Sequence, residues 1–325
     1  MKALSLPLPT EPLHGQIRFA KLQRPARLLF GTPLNAALTL LFGALLVVTV
    51  PPMLRWLVID AVLFDPNPSA CRAASGACWS FVYAKSGQLL FGIYPFDERW
   101  RPAIVCLLIL ALLGWSVRPA SWAPRLLALW LAALAPIFWL MGGGFGLPEV
   151  PTSSWGGLPV TLILTVVAIG VAFPAGILLA LARRSTMPAI RIGAVVLIES
   201  VRGLPLLSIL FVASIMMPLF LPEALLPDKF VRALVALTIF AAAYLAEVAI
   251  PALANTIIVM IKNTSLVLVV GLFDLISSAK AALADPEWPS PAAETFLFIG
   301  AIFFALSFSF ARFADFLERR GPAGH

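Results

Sequence analysis

The chain has 325 residues, of which 61% are apolar and 12% charged, with a formal net charge of +7 at pH 7; its mean hydropathy is +0.97. A water-soluble domain carries about twice that share of charge and cannot hide so much apolar surface, so a soluble enzyme is excluded. The apolar residues fall in runs of roughly 20, the length at which a helix crosses a hydrocarbon core, and they do not alternate as transmembrane β-strands do. The composition therefore predicts an all-α, polytopic helical membrane protein. The basic excess reads as topology rather than as nucleic-acid binding, because Lys and Arg collect in cytoplasmic loops.

In chain order, the first residues carry Lys2, Arg18, Lys21, Arg24 and Arg27 against Glu11. No short apolar stretch with a small-residue cleavage site follows, which predicts a cytoplasmic N-terminus ahead of an uncleaved span. About eight transmembrane helices are expected, at Leu34–Trp56, Arg101–Val117, Arg125–Met141, Leu158–Leu181, Ile190–Phe220, Val231–Val248, Pro251–Leu272 and Ala293–Phe316. Pro51-Pro52 should kink or end the first, and Pro174 should kink the fourth. The fifth is too long for one perpendicular span. Its first two turns are expected at the interface, before Arg202-Gly203-Leu204-Pro205 bends the chain. Between the first two helices, Asp60–Trp100 reads as a wet outer loop. Cys71 and Cys78 share it and can pair if it faces an oxidising compartment; Cys106 lies in an apolar run and reads as packing.

With both termini in the cytoplasm, the inner segments are net basic and the outer ones net acidic, as a membrane orientation requires. One continuous helix from Lys229 to Lys262 would be roughly 50 Å long, so a tight hairpin is expected at Glu247–Pro251. Val248, Ala249 and Ile250 are poor turn residues, and the chain reads as cut there. The Gly/Pro/Ser stretch Gly142–Gly157 separates residues 1–150, with three accessory helices and the outer loop, from residues 151–325, with five helices.

Charges inside a membrane are expensive and mark function by default. Glu199 and Arg202 are three apart on one helix, so they share a face and can pair, either along a substrate path or as a structural ion pair with Arg202 snorkelling to headgroups. Lys262 precedes Asn263, Thr264 and Ser265, a polar cluster that either lines a cavity or joins helices by hydrogen bonds. Thr161, Thr165, Ser208 and Asn255 are further candidates for such a cavity, and Pro174 and Pro205 for freeing backbone carbonyls toward it. Enzyme signatures are missing from the sequence. Both histidines, His14 and His325, lie in the tails, no phosphate-binding loop occurs, and no metal or cofactor motif is present. Any ATP hydrolysis belongs to another subunit.

From Trp155 onward the motifs fall in a familiar order. They run Trp155-Gly156-Gly157-Leu158-Pro159, Ala172-Phe173-Pro174-Ala175-Gly176, Met187-Pro188-Ala189-Ile190-Arg191 and Ile198-Glu199-Ser200-Val201-Arg202-Gly203-Leu204-Pro205-Leu206. Ala243-Tyr244-Leu245-Ala246-Glu247-Val248, Asn255-Thr256, Lys262-Asn263-Thr264-Ser265-Leu266-Val267 and Gly271-Leu272-Phe273-Asp274 follow. The chain resembles the permease subunit of a bacterial polar amino-acid ABC importer, of the general L-amino-acid branch with extra N-terminal helices. The resemblance implies a five-helix MetI-like core in the inner membrane and a second, homologous permease. It also implies cytoplasmic ATP-binding subunits, a periplasmic amino-acid-binding protein and a lipid environment. The family's R-G-x-P-L maps onto Arg202, Gly203, Pro205 and Leu206. Its K-D-T-S-L maps onto Lys262, Thr264, Ser265 and Leu266, with Asn263 replacing the acid.

The family also carries a cytoplasmic loop with E-A-A-x-x-x-G and a short coupling helix that docks in the ATPase. Here Glu247-Val248 runs straight into Ala249-Ile250-Pro251, leaving a vestigial junction, so weak ATPase coupling is expected. Two rival readings remain at this stage. One is a degenerate permease that only assembles with partners. The other is an ion-coupled secondary transporter, which needs mid-depth carboxylates that only Glu199 approaches.

Overall fold

The computed structural model describes residues 29–247 and 250–320. Among them there is no β-strand, only isolated bridges. Two compact units divide the chain: Met1–Ala61 with Ala74–Ala77, and Val62–Ala73 with Cys78–His325.

In the first unit, α1 (Pro33–Leu54) opens on Thr32, whose side chain accepts from the Asn35 N–H at 3.2 Å, and on Pro33, at a position that needs no donor. Pro51 and Pro52 do not end it, contrary to expectation. The Arg55 N–H reaches back to both proline carbonyls, and the chain runs on as a π-helical turn, Arg55–Ile59. A local widening of the helix re-satisfies the ladder that prolines interrupt, so the apolar segment continues unbroken from Pro33 to Ile59.

The second unit begins with α2 (Pro68–Ala73), α3 (Trp79–Ala84) and α4 (Ser86–Phe91), then α5 (Trp100–Ser116), α6 (Pro124–Gly142) and α7 (Gly157–Ala182). It continues through α8 (Pro188–Gly203), α9 (Leu206–Phe211), α10 (Met217–Phe220), α11 (Lys229–Leu245), α12 (Ile250–Asn263), α13 (Leu275–Leu283) and α14 (Ala292–Arg320). Among the described residues each of the eight expected spans falls mainly on helix, the fifth broken at Leu204-Pro205 and the seventh ending in a 3₁₀ run. Five helical segments are long and apolar enough to cross alone, and α8 with α9–α10 makes a sixth if that pair, bent by 104°, is one span. At 17 residues α11 is at the lower limit for a crossing, and Thr256–Val270 is shorter still. The bend falls at Leu204-Pro205, as read from the sequence, but it follows a 16-residue helix rather than two interfacial turns.

The expected wet loop is instead a folded layer. Cys71 and Cys78 are joined by a disulfide with their Cα atoms 5.5 Å apart. Phe81 and Leu89 are fully buried with Leu275 and Ala279 of α13 and with Trp288, whose ring meets Phe81 edge-on at 5.4 Å. Glu294, buried in the first turn of α14, accepts from the Cys78 N–H at 2.7 Å, and Arg72 donates to the Glu287 carbonyl at 2.7 Å. Lys85 pairs with Asp285, and that hydrogen bond holds the Asp285 carboxyl below its usual range. Helix α13 lies between the last two expected spans and is capped by Asp274. Its buried carboxylate accepts from the N–H groups of Ile276 at 3.1 Å and Ser277 at 2.9 Å. Gly157, at φ +71°, donates to the Phe273 carbonyl at 2.9 Å where any Cβ would overlap the Leu90 carbonyl.

Arg101 is wholly buried at the start of α5 and closes the C-terminal end of α6. Its Nε donates to the Leu140 carbonyl at 2.6 Å and Nη1 to the Pro148 carbonyl at 2.9 Å. The Tyr94 hydroxyl donates to the Met141 carbonyl at 2.9 Å beside it. A cation and a phenol thus satisfy the orphan carbonyls at the negative end of a helix.

The largest interface is between α7 and α11. Ala168, Ala172 and Gly176 repeat every fourth residue along α7 and are buried, and α11 brings Ala233, Ala236, Ala241 and Ala243 to the same core. A Cβ on Gly176 would stand 2.8 Å from the Leu245 Cβ and 3.1 Å from the Ala242 carbonyl oxygen. Small residues in such a row allow the close backbone approach that drives helix association in lipid.

Gly176→Leu should therefore lower stability by about 1–3 kcal/mol through overpacking, read as a drop in the thermal midpoint in mild detergent. Burial pushes the Tyr94 hydroxyl up to about 12, against a partial offset from Arg101. The fold favours the neutral phenol, so this contribution to stability is intact below pH 10 and is lost as pH rises from about 10 to about 12. A late step in the tyrosinate absorbance titration should accompany that loss and be absent in Tyr94→Phe.

Candidate functional site

Three helices end together at one place. Arg183 is the residue after α7, Arg202 lies in the last turn of α8, and Glu247 stands just past α11. Arg183 Nη1 is 2.7 Å from Glu247 Oε1, and Arg202 Nη1 pairs with the other carboxylate oxygen. The Arg202 guanidinium also lies 5.7 Å from the centroid of the Tyr244 ring, which itself packs on Phe240 at 4.6 Å. Each helix presents the negative end of its dipole here, so a lone carboxylate at the end of α11 would be unfavourable. Two arginines offset both the carboxylate and the dipoles.

Arg202 does not take up the pairing with Glu199 that the spacing allows. The two share a helix, but Glu199 is exposed and has no ion-pair partner among the described residues; the Arg202 side chain turns instead toward α11. The one-turn spacing allows an i,i+3 contact, yet the approach of α11 supplies a carboxylate that already holds a second cation. Ala246 and Glu247 are described. Val248 and Ala249 lie outside the described residues, and Ile250 and Pro251 open α12.

The second expected cluster lies where the helix changes pitch. Asn263 ends α12, and Thr264–Val270 continues as a 3₁₀ helix closed by Gly271 at φ +79°. Thr264 is fully buried and its hydroxyl returns to the Ile261 carbonyl at 2.7 Å; Lys262 is exposed, and Asn263 and Ser265 are half-buried. The 3₁₀ segment packs on α9, with Val267 and Val270 buried on one element and Leu206 and Leu210 on the other. The Pro205 corner and the Lys262–Ser265 cluster thus belong to neighbouring elements. At seven residues this terminal 3₁₀ run is longer than most, whose poorer hydrogen-bond geometry limits them to three or four residues. Gly203 and Pro205 are exposed on the single chain.

Two further candidates do not line a polar path. The hydroxyls of Thr161 and Thr165 bond their own helix, at the carbonyls of Gly157 (3.3 Å) and Thr161 (2.8 Å). Ser208 is half-buried on α9. Arg183 and Tyr244 complete the charge cluster unforeseen; only the recurrence of arginines at helix C-termini hinted at the first.

Glu247→Gln should cost about 1 kcal/mol or less, because the side chains of Arg183, Arg202 and Glu247 keep 35%, 34% and 20% of their exposure and solvent screens the pairs. In unfolding double-mutant cycles, Glu247→Gln with Arg202→Gln should be non-additive, and Glu199→Gln with Arg202→Gln additive.

No family model matches the chain. It is 38% identical over 340 aligned positions to the inner membrane amino-acid ABC transporter permease protein YhdY of Escherichia coli, covering 91% of this chain and 92% of that one. It is 30% identical over 404 positions to the glutamate/glutamine/aspartate/asparagine transport system permease protein BztC of Rhodobacter capsulatus, covering 91% and 93%. A crystal structure of an amino acid ABC transporter with histidines is 26% identical, with a TM-score of 0.43 over 49% of this chain and 90% of that one. Identity to the two permeases over 91% of this chain, joined to the apolar helices, supports a multi-pass inner-membrane transporter component. The chain belongs to the permease subunits of amino-acid ABC transporters.

Proposed function

We propose that this permease is an importer subunit with both termini in the cytoplasm. Residues 1–150 form the accessory part and residues 151–325 the transport core. A second, homologous permease completes the pathway, cytoplasmic ATP-binding subunits hydrolyse ATP to drive it, and a periplasmic binding protein delivers the amino acid. The orientation is supported by the Cys71–Cys78 disulfide, which lies in the segment assigned to the oxidising side. The exposure of Lys262, Gly203 and Pro205 on the single chain supports a path that closes only against another subunit. In this reading the Pro205 corner and the Lys262–Ser265 cluster gate the path. The cluster of Arg202 and Glu247 holds the inner ends of three helices as one body.

The observation that carries the reading furthest is the junction after Glu247. Only residues 246–249 separate α11 from α12. The alignment to the E. coli relative runs over 340 positions, more than the 325 residues of the whole chain, while taking in only 91% of it. Both observations support the loss of the cytoplasmic coupling loop, and with it of the main ATPase contact.

Co-purification in mild detergent with the cognate ATP-binding subunit and second permease tests this. The second permease should be recovered with the chain and the ATP-binding subunit only substoichiometrically. A family-type coupling loop inserted after Val248 should restore it. Stoichiometric recovery of the ATP-binding subunit by the unmodified chain overturns the loss of docking and leaves the amino-acid permease assignment standing.

A further inference from the structure

The turn between α5 and α6 holds two arginines without a carboxylate. Arg118 and Arg125 line a depression of about 530 Å³ with Trp115, Ser121 and Leu129, none of its walls is acidic, and among the described residues neither arginine forms an ion pair. The Arg118 guanidinium is steadied 5.6 Å from the centroid of the Trp115 ring. Leu126 is shared between this depression and a shallow recess beneath Trp122, and Leu127 and Trp130 are shared between that recess and a deeper groove of about 350 Å³. The groove is walled by Leu131 and Leu134 of α6, Val167 and Val171 of α7, and Phe310 of α14.

The few polar atoms nearby are already engaged. Trp130 Nε1 donates to the Ser116 hydroxyl at 3.0 Å, that hydroxyl donates to the Leu112 carbonyl at 2.7 Å, and Trp122 Nε1 donates to the Ser116 carbonyl at 2.9 Å. Thr165, also on the wall, bonds the Thr161 carbonyl at 2.8 Å, so an occupant of the groove meets mostly apolar surface. Trp115 and Trp122 are of the type that anchors at headgroup depth, and the shared residues Leu126, Leu127 and Trp130 set the basic depression, the recess and the apolar groove side by side.

We propose that these adjoining hollows together bind one anionic phospholipid. Its phosphate sits between Arg118 and Arg125, and one acyl chain lies along Trp130, Leu131 and Val167. Two cations with no carboxylate favour phosphate oxygens, and the absence of any acid in the walls leaves the amine of a zwitterionic headgroup without a partner. The chain wedges the α5–α6 hairpin against α7 and α14, so the lipid is part of the joint between them.

The full chain, reconstituted in nanodiscs of phosphatidylglycerol and phosphatidylethanolamine, released into mild detergent and weighed by native mass spectrometry, tests this. One phosphatidylglycerol per chain should remain bound, in preference to phosphatidylethanolamine. The Arg118→Gln/Arg125→Gln double variant, altered only at exposed side chains, should lower its retention by roughly tenfold or more. Gly170→Phe should do the same with both arginines present, because a Cβ at Gly170 meets nothing within 4 Å and the ring would occupy the groove. Equal retention of the two lipids, or undiminished phosphatidylglycerol in both variants, overturns the site. Loss in the arginine variant alone overturns the acyl-chain half of it.

Discussion

The close approach of α7 and α11 is the constraint on which the rest of the second unit depends. In lipid no hydrophobic force drives one helix onto another, so association rests on how near the backbones come and how well the side chains between them fit. Ala168, Ala172 and Gly176 keep one face of α7 nearly flat, and at Gly176 the backbone of α11 comes close at Ala242. Helix α7 also touches α4, α5, α8, α12 and α13, so its position is passed to each of them. A wider seam would draw Glu247 away from Arg183 and with it from Arg202. The charge cluster is a result of the packing and not its cause.

Charge is then used sparingly and at helix ends. Arg101 closes the end of α6, Arg183 and Arg202 stand at the ends of α7 and α8, and Asp228 and Asp274 cap the starts of α11 and α13. Each sits where a dipole of opposite sign awaits it, which is the cheapest place in a membrane protein for a charge to be partly desolvated. The middle of the bundle is left to small and apolar residues. The exceptions gather where regular α-helix gives way, at the Leu204-Pro205 bend and at the 3₁₀ segment Thr264–Val270. Irregular backbone at membrane depth is tolerated where it lies against protein or lines a path, which fits a transport role for both.

Hydropathy made the spans legible, since burial in lipid imposes a length that a run of apolar residues must meet. The Arg202–Pro205 corner and the adjacency of Cys71 and Cys78 were legible for equally local reasons. What stayed hidden depends on approach in three dimensions. The spacing of Glu199 and Arg202 pointed to a pair, and the arrival of Glu247 from a helix more than forty positions away replaced it. Arg101 looked like an ordinary flank of a span until the end of α6 was brought beside it. The folded layer of α2–α4 was read as loop because its hydrophobic positions are few. They suffice only because α13 and α14 supply the other half of their core. Pro51-Pro52 misled in the opposite direction, since a π turn absorbs what the prolines remove.

That shared core orders the events of synthesis. Residues 62–99 leave the ribosome early, but Asp285, Glu287, Trp288 and Glu294, which hold them, come about two hundred residues later. Until α13 and Trp288 are made, Phe81 and Leu89 lack most of the surface that covers them, and until Glu294 is made the Cys78 N–H lacks its acceptor. The disulfide can close over a short loop at once, yet the layer it belongs to cannot. A chain that stalls before α13 therefore displays an apolar face outside the bilayer, which marks it as unfinished to any protease or chaperone that reads exposed hydrophobic surface.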